Sequence, residues 1–303
     1  HDFGGDSIRN GIFTEVNHRP LGQLLQSMYL ANGQVYMVLN LSDTIVIANS
    51  DTFTEMGVIT GLSSPRYMTS HNGKGYITQW GENGSVKVVD LATRAIIKTI
   101  AVGTGPEQIA YVNGRILVCN GGGYTVDSTV SVIDPQTDNV VQQINVGHNP
   151  KGLVTDRNNN VWVLCYGYIK YDSAFNVILE TPSKLVKLTA QSLQKSAEFI
   201  LSNTMHPQYI GISKDKFKVY YGGGFGFSGI YAMDINATEP PVLPLIDGTK
   251  YFYGFGVFAT NGQIFALDAG DYVTPGMLYR YDDQGNLIKS YRVGVAPNGV
   301  LFR

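Results

Sequence analysis

Charge is scarce in this sequence: Asp, Glu, Lys and Arg make up 15% of its 303 residues, against about 25% in an average soluble protein. The formal net charge of −2 creates no long-range field, which argues against nucleic acid and against anionic membrane as partners. Apolar runs are short, and none approaches the roughly 20 residues that span a bilayer. A charged-then-apolar leader is also missing from the start. With little lysine and a Tyr- and Asn-rich composition, the chain is expected to be exported, its leader already removed. Cysteine occurs twice, at Cys119 and Cys165, too few for a disulfide framework or a metal cluster. Each closes a strand of similar pattern, and equivalent places in neighbouring repeats lie beyond the ~7 Å Cα limit for bridging. Both are therefore expected as buried free thiols. Helical periodicity is absent over any useful length.

Glycine (35), tyrosine (19) and phenylalanine (13) fill the gap. Aromatics favour pleated surfaces and glycine supplies positive φ, a mixture suited to strands and tight turns. The strands recur in units of about 44 residues. The clearest runs from Gly105-Pro106-Glu107 through Ile116–Asn120 and Thr129–Asp134 to Val140–Gly147. Copies start near Gln26, at Pro65, at Pro150, at Pro207 and at Gly254. Asn32-Gly33, Asn72-Gly73, Asn113-Gly114 and Asn261-Gly262 provide the dipeptide that two-residue hairpins need. Asp90, Asp134, Asp234 and Asp282 end third strands, where a carboxylate accepts backbone N–H bonds.

Short strands at this period predict an all-β, seven-bladed β-propeller of four-stranded antiparallel blades in one domain, residues 1–303. Six units are complete. The seventh is expected to be shared between residues 1–24, with Gly11–Val16 as outer strand, and residues 295–303, with Pro297–Phe302 as innermost strand. N- and C-terminal strands then close the ring and leave no edge unpaired. The second strand of that blade has no counterpart here, so the chain is expected to begin part-way through its first blade.

Cys119-Asn120, then Ser131-Val132-Ile133-Asp134-Pro135-Gln136-Thr137, then Val146-Gly147-His148-Asn149-Pro150, resemble the YVTN-type repeat of YncE-like and surface-layer seven-bladed propellers. The opening Phe3-Gly4-Gly5-Asp6-Ser7 and the Tyr-rich insertions look like the exported YncE-like propellers of Bacteroides-type bacteria. That group includes a surface lipoprotein that captures cobalamin and hands it to an outer-membrane transporter. The resemblance thus implies a cell-surface location in a Gram-negative bacterium, a corrinoid as ligand, an outer-membrane transporter as partner and no cofactor.

In an up-and-down blade, the loop entering the first strand and the loop between strands two and three share one face. Those loops vary here, and function gathers on variable loops held by a rigid scaffold. The first set places Arg66, Glu107, Lys151, Gln208, Tyr253 and Asn298 at the channel mouth. The second brings Trp80, Tyr124, Tyr166, Tyr168, Phe225, Phe227, Asp268 and Tyr272. Rings provide area and mouth residues orientation for a small amphipathic ligand. The alternative is that these rings merely pack the loops on one another.

Three other patterns bear on chemistry. His148 and His206 precede Pro150 and Pro207 on this face, a spacing open to a metal. Asp156-Arg157-Asn158-Asn159-Asn160 alternates oxygen side chains but lacks the glycine and distal glutamate of a calcium loop. No Gly-x-Ser-x-Gly elbow or His-Glu-x-x-His pair occurs. The reading is a non-catalytic, ligand-binding propeller. The alternatives are a surface that docks protein or glycan, and an enzyme of the propeller lactonase or lyase type using Glu107, Asp268, Asn120 and Asn298.

Overall fold

The computed structural model describes residues 7–224 and 226–303. Within them six blade sheets follow one another along the chain. Blade 1 comprises Leu25–Ala31, Gln34–Leu39, Thr44–Asn49 and Glu55–Ile59; blade 2 comprises Pro65–His71, Lys74–Gln79, Ser85–Asp90 and Ile96–Ala101. Blade 3 comprises Pro106–Val112, Arg115–Asn120, Thr129–Asp134 and Asn139–Asn145. Blade 4 comprises Pro150–Thr155, Val161–Cys165, Ser183–Leu188 and Lys195–Ser202; a separate hairpin, Tyr168–Tyr171 with Val177–Thr181, is inserted between its second and third strands. Blade 5 has three strands, Tyr209–Ile212, Lys218–Gly222 and Ile230–Asp234. Blade 6 comprises Gly254–Val257, Ile264–Asp268, Pro275–Tyr281 and Leu287–Val295.

Turn chemistry works as the sequence requires in three hairpins. Asn32-Gly33, Asn72-Gly73 and Asn113-Gly114 have positive φ at both residues, the geometry of a two-residue hairpin loop. At Asn261-Gly262 only the glycine is left-handed, and a longer turn forms, with Gly262 N–H bonded to the Phe258 carbonyl. Asp90, Asp134, Asp234 and Asp282 each accept backbone N–H bonds from the turn that follows.

The core lies between blades. Tyr36 and Ile47 of blade 1 meet Met68 and Ile77 of blade 2; Tyr76 and Val88 meet Ile116 and Val118; Cys119 and Val132 meet Val163 and Cys165. Trp162 and Leu185 then meet Tyr221 and Met233, and Tyr220 and Ile230 meet Phe255 and Ile264. Both cysteines are buried and free.

The seventh blade does not form, and no strand ladder closes the ring among the described residues. Gly11–Val16, expected as a strand, lies in a helix at Ile12–Asn17 with Gly11 as N-cap. A strand without a neighbour leaves its N–H and C=O groups unmet, whereas a helical turn satisfies some internally. With no second strand to pair with among the described residues, the helix is the better solution. Phe13 anchors it on blade 1, and Asn17 bonds Phe53 and Glu55.

The tail at Pro297–Phe302 is extended but belongs to no ladder. It wedges between blades 6 and 1. Leu301 packs on Met37 and Leu39 of blade 1, while Val300 and Phe302 pack on Phe265 and Leu267 of blade 6. This is the alternation of an extended strand. A Cβ on Gly254 would stand 2.3 Å from the Asn298 carbonyl, so the glycine admits the tail against the innermost strand of blade 6.

Candidate functional site

Residues at the start of four successive innermost strands converge on the propeller axis. Glu107, 3% exposed, accepts a forked bond from Arg66: Nε to Oε2 at 3.1 Å and Nη2 to the two oxygens at 3.2 and 3.0 Å. Lys151 Nζ donates to its Oε1 at 3.1 Å. Arg66 Nη1 donates to Gln26 Oε1 at 2.6 Å. A Cβ on Gly121 would lie 2.6 Å from Glu107 Cγ, so that glycine makes room for the carboxylate. Burial, reinforced by the Glu107 charge, pushes the neighbouring Tyr67 phenol up to about 12. Burial also raises the Tyr209 phenol well above its ordinary value, with Tyr67 and Tyr253 adding to the effect. Trp80 lies beneath the Arg66 guanidinium at 4.2 Å and meets the exposed Tyr124 edge-on at 5.3 Å.

A pocket of about 550 Å³ opens on the same face between blades 5 and 6. Tyr251, Tyr253 and Tyr272 are its rings, with Asp268, Lys250 and Thr249 among the polar groups and Gly224, Gly226 and Gly270 in its wall. Tyr253 and Tyr272 meet edge-to-face at 5.0 Å. Tyr272 has φ 62°, a left-handed conformation unfavourable for a bulky side chain. The loop holds it there. Asp268 Oδ1 accepts from Gly270 N at 2.9 Å, and Asp271 Oδ1 accepts from Val273 N and Thr274 N at 2.9 and 2.7 Å. The Thr274 and Val273 N–H groups hold the Asp271 carboxyl below the ordinary range.

The sequence-derived candidates therefore separate into groups. Arg66, Glu107 and Lys151 form one network with Trp80; Tyr253, Asp268 and Tyr272 share the pocket. Gln208 packs on Gly224, beside that pocket. Tyr166 stands 5.9 Å from Lys151 Nζ and packs against the His206 ring. Tyr168 meets His148 edge-on at the base of the inserted hairpin. Asn298 bonds the Leu25 carbonyl at 3.1 Å. Phe227 is a packing residue: at 2% exposure it lies in the core between blades 4 and 5, against Tyr221 and Tyr231. Phe225 lies outside the described residues.

The two histidines are occupied by structural bonds. His206 contacts Glu180 Oε1 at 2.9 Å and the Tyr166 carbonyl, and His148 contacts Thr181 Oγ1 at 2.9 Å. They fasten the hairpin to blade 4. Asp156 is a turn-former, accepting from Asn158 N, Asn160 N and the Trp162 indole.

Sequence reasoning missed Gln26, Lys250 and Tyr251. Gln26 was findable, since it holds in blade 1 the place of Arg66 in blade 2. The aromatic run Tyr251-Phe252-Tyr253 was visible, but its inside and outside members were not: Phe252 is fully buried and Tyr251 is 63% exposed.

A family profile described as "Domain of unknown function (DUF5074)" matches residues 3–296. Among solved structures, "Kuenenia stuttgartiensis Hydrazine Synthase" is similar, with a TM-score of 0.74 at 13% identity over 92% of this chain and 90% of that one. The "computationally designed Ika8 protein" is similar with a TM-score of 0.60 at 12% identity, over 88% of this chain and 73% of that one. At these identities the likeness is one of fold. No curated protein matches.

Proposed function

This chain belongs to the DUF5074 family, and we propose that it is a non-catalytic propeller that binds an amphipathic small molecule in the tyrosine-lined pocket between blades 5 and 6. The observation that carries this reading is the composition of that pocket: three tyrosines with one ammonium and one carboxylate around about 550 Å³. Its size lies within the usual range for small-molecule sites, and rings with a few convergent polar groups are their usual lining. The Asx-braced loop at Asp268–Thr274 supports the same reading, because a preformed wall lowers the ordering cost of binding.

The finer identity follows the resemblance to exported YncE-like propellers: a corrinoid, captured at the cell surface and passed to an outer-membrane transporter. Its planar, polar-rimmed ring suits stacking on Tyr251 and Tyr272 with side groups reaching Lys250 and Asp268. Equilibrium dialysis against cyanocobalamin tests it. Retained red colour, lost in a Tyr251→Ala/Tyr272→Ala double variant, supports the corrinoid reading; colour that dialyses away completely sinks it.

A second reading, protein docking, is favoured by the blade 4 hairpin. Tyr171, Phe175, Val177, Ile178 and Leu179 are all exposed on it, a cluster of apolar side chains typical of interaction surfaces.

A further inference from the structure

The axial network carries two cations and one anion. Arg66 and Lys151 are the two cations ion-paired to Glu107 among the described residues, and Glu107 acts with Arg66 on the Tyr67 phenol and with Lys151 on the buried Cys119 thiol. Glu107 is shared between both cations, and its side chain is 4% exposed against 14% for Arg66 and 20% for Lys151. One positive charge is therefore left over at a place shielded from bulk water, where charges are normally paired.

Donors are left over as well. An ammonium has three N–H groups, and Lys151 spends one on Glu107, with the Tyr166 ring 5.9 Å away. Beside Arg66, the Trp80 indole N–H is buried and has no hydrogen-bond partner among the described residues. Spare charge and spare donors together define what is missing: an acceptor bearing negative charge.

We propose that the axial mouth is an anion site, in which a carboxylate or phosphate group is held by Lys151 with Arg66 and Trp80 alongside. Glu107 sets its selectivity. By neutralising one of the two cations it leaves a single net charge, matched to one anionic group. The site is separate from the tyrosine pocket, whose lining includes none of these four residues, and stands without it.

The experiment is thermal unfolding at pH 7 in increasing inorganic phosphate, with chloride keeping ionic strength constant, read beside isothermal titration calorimetry with phosphate and with benzoate. Lys151→Met keeps the neutral Arg66–Glu107 pair, so it folds, and it is expected to lose at least tenfold in affinity. Lys151→Arg restores it. Glu107→Gln lowers the midpoint in chloride, yet is expected to bind phosphate more tightly than the unaltered chain. Phosphate tighter than benzoate indicates a phosphate ligand and the reverse a carboxylate; both outcomes uphold an anion site. Phosphate raises midpoints generally by exclusion from protein surface. An equal rise in the unaltered chain and in Lys151→Met, with no binding heat for either anion, overturns the proposal.

Discussion

Asn298 is tied to Leu25: its side-chain amide donates to the Leu25 carbonyl at 3.1 Å, joining the end of the chain to the first strand of blade 1. This contact stands where a complete ring would have a ladder. Closure thus depends on side chains, with Leu301 turned to blade 1 and Val300 and Phe302 turned to blade 6.

Phe302 stacks on Phe258 at 5.0 Å and meets Phe265 edge-on at 5.1 Å. Phe302→Ala is expected to cost about 2 kcal/mol, below the ~3–5 of a fully buried phenylalanine, because the tail is only half covered. Chemical denaturation checks the loss. Native-state hydrogen exchange should show it first in blades 1 and 6; uniform loss of protection across all blades would refute closure through the tail.

Phe227 and Tyr272 make opposite predictions although both are aromatic loop residues. Phe227→Ala is expected to destabilise by about 3–5 kcal/mol, as removal of a buried ring does. Tyr272→Gly removes a ring contact of about 0.5–1.5 kcal/mol but relieves a left-handed conformation costing about 1–2 kcal/mol. Its melting temperature should stay nearly unchanged while ligand affinity falls at least tenfold. Melting curves and dialysis on the two variants separate packing from binding.

Phe175 sits at the hairpin tip with φ 63°, in the left-handed region that favours glycine, and it is 86% exposed. It forms no part of the described core clusters. Phe175→Gly should therefore stabilise the hairpin by about 1 kcal/mol, visible as slower amide exchange across 168–181. Faster exchange would show that the ring packs on the hairpin in solution.

The pH dependence has a definite sign. Hydrogen bonds from Thr93 hold Asp90, and from Asn286 hold Asp282, below the ordinary carboxylate range. A depressed folded value contributes stability that is complete above the unfolded value of about 4 and is lost as pH falls through the lower folded one. Burial pushes the Tyr220 and Tyr281 phenols up to about 12; stability from that source is present below about 10 and lost as pH rises beyond it. The urea midpoint should be flat between about pH 5 and 9 and fall on both sides. Asp90→Asn should flatten the acid limb; an unchanged limb would show that the turn carboxylates do not set it.

Much of the fold was legible because propeller blades are local. Asn-Gly turns or third-strand aspartates mark a hairpin in every blade but the fourth, and the six repeats became the six blades. The termini were not legible in the same way. Gly11–Val16 has strand-like alternation, but a strand exists only where a partner exists, and none is present among the described residues. Pro297–Phe302 matched an innermost strand and does lie against blade 6, yet without a ladder. At the site, register brought Arg66, Glu107 and Lys151 to one axis, since equivalent positions in successive blades must face it. Phe227, expected at the binding face, lies in the core because an aromatic in a glycine-rich loop packs inward or outward according to the neighbouring blade, which local sequence does not encode.

The pocket between blades 5 and 6 is proposed to receive the ligand. Hydrogen–deuterium exchange with and without saturating cyanocobalamin tests it most directly. Binding in the pocket should protect 249–253 and 268–274, with little change in the blade 4 hairpin. Absence of protection from both segments would contradict it.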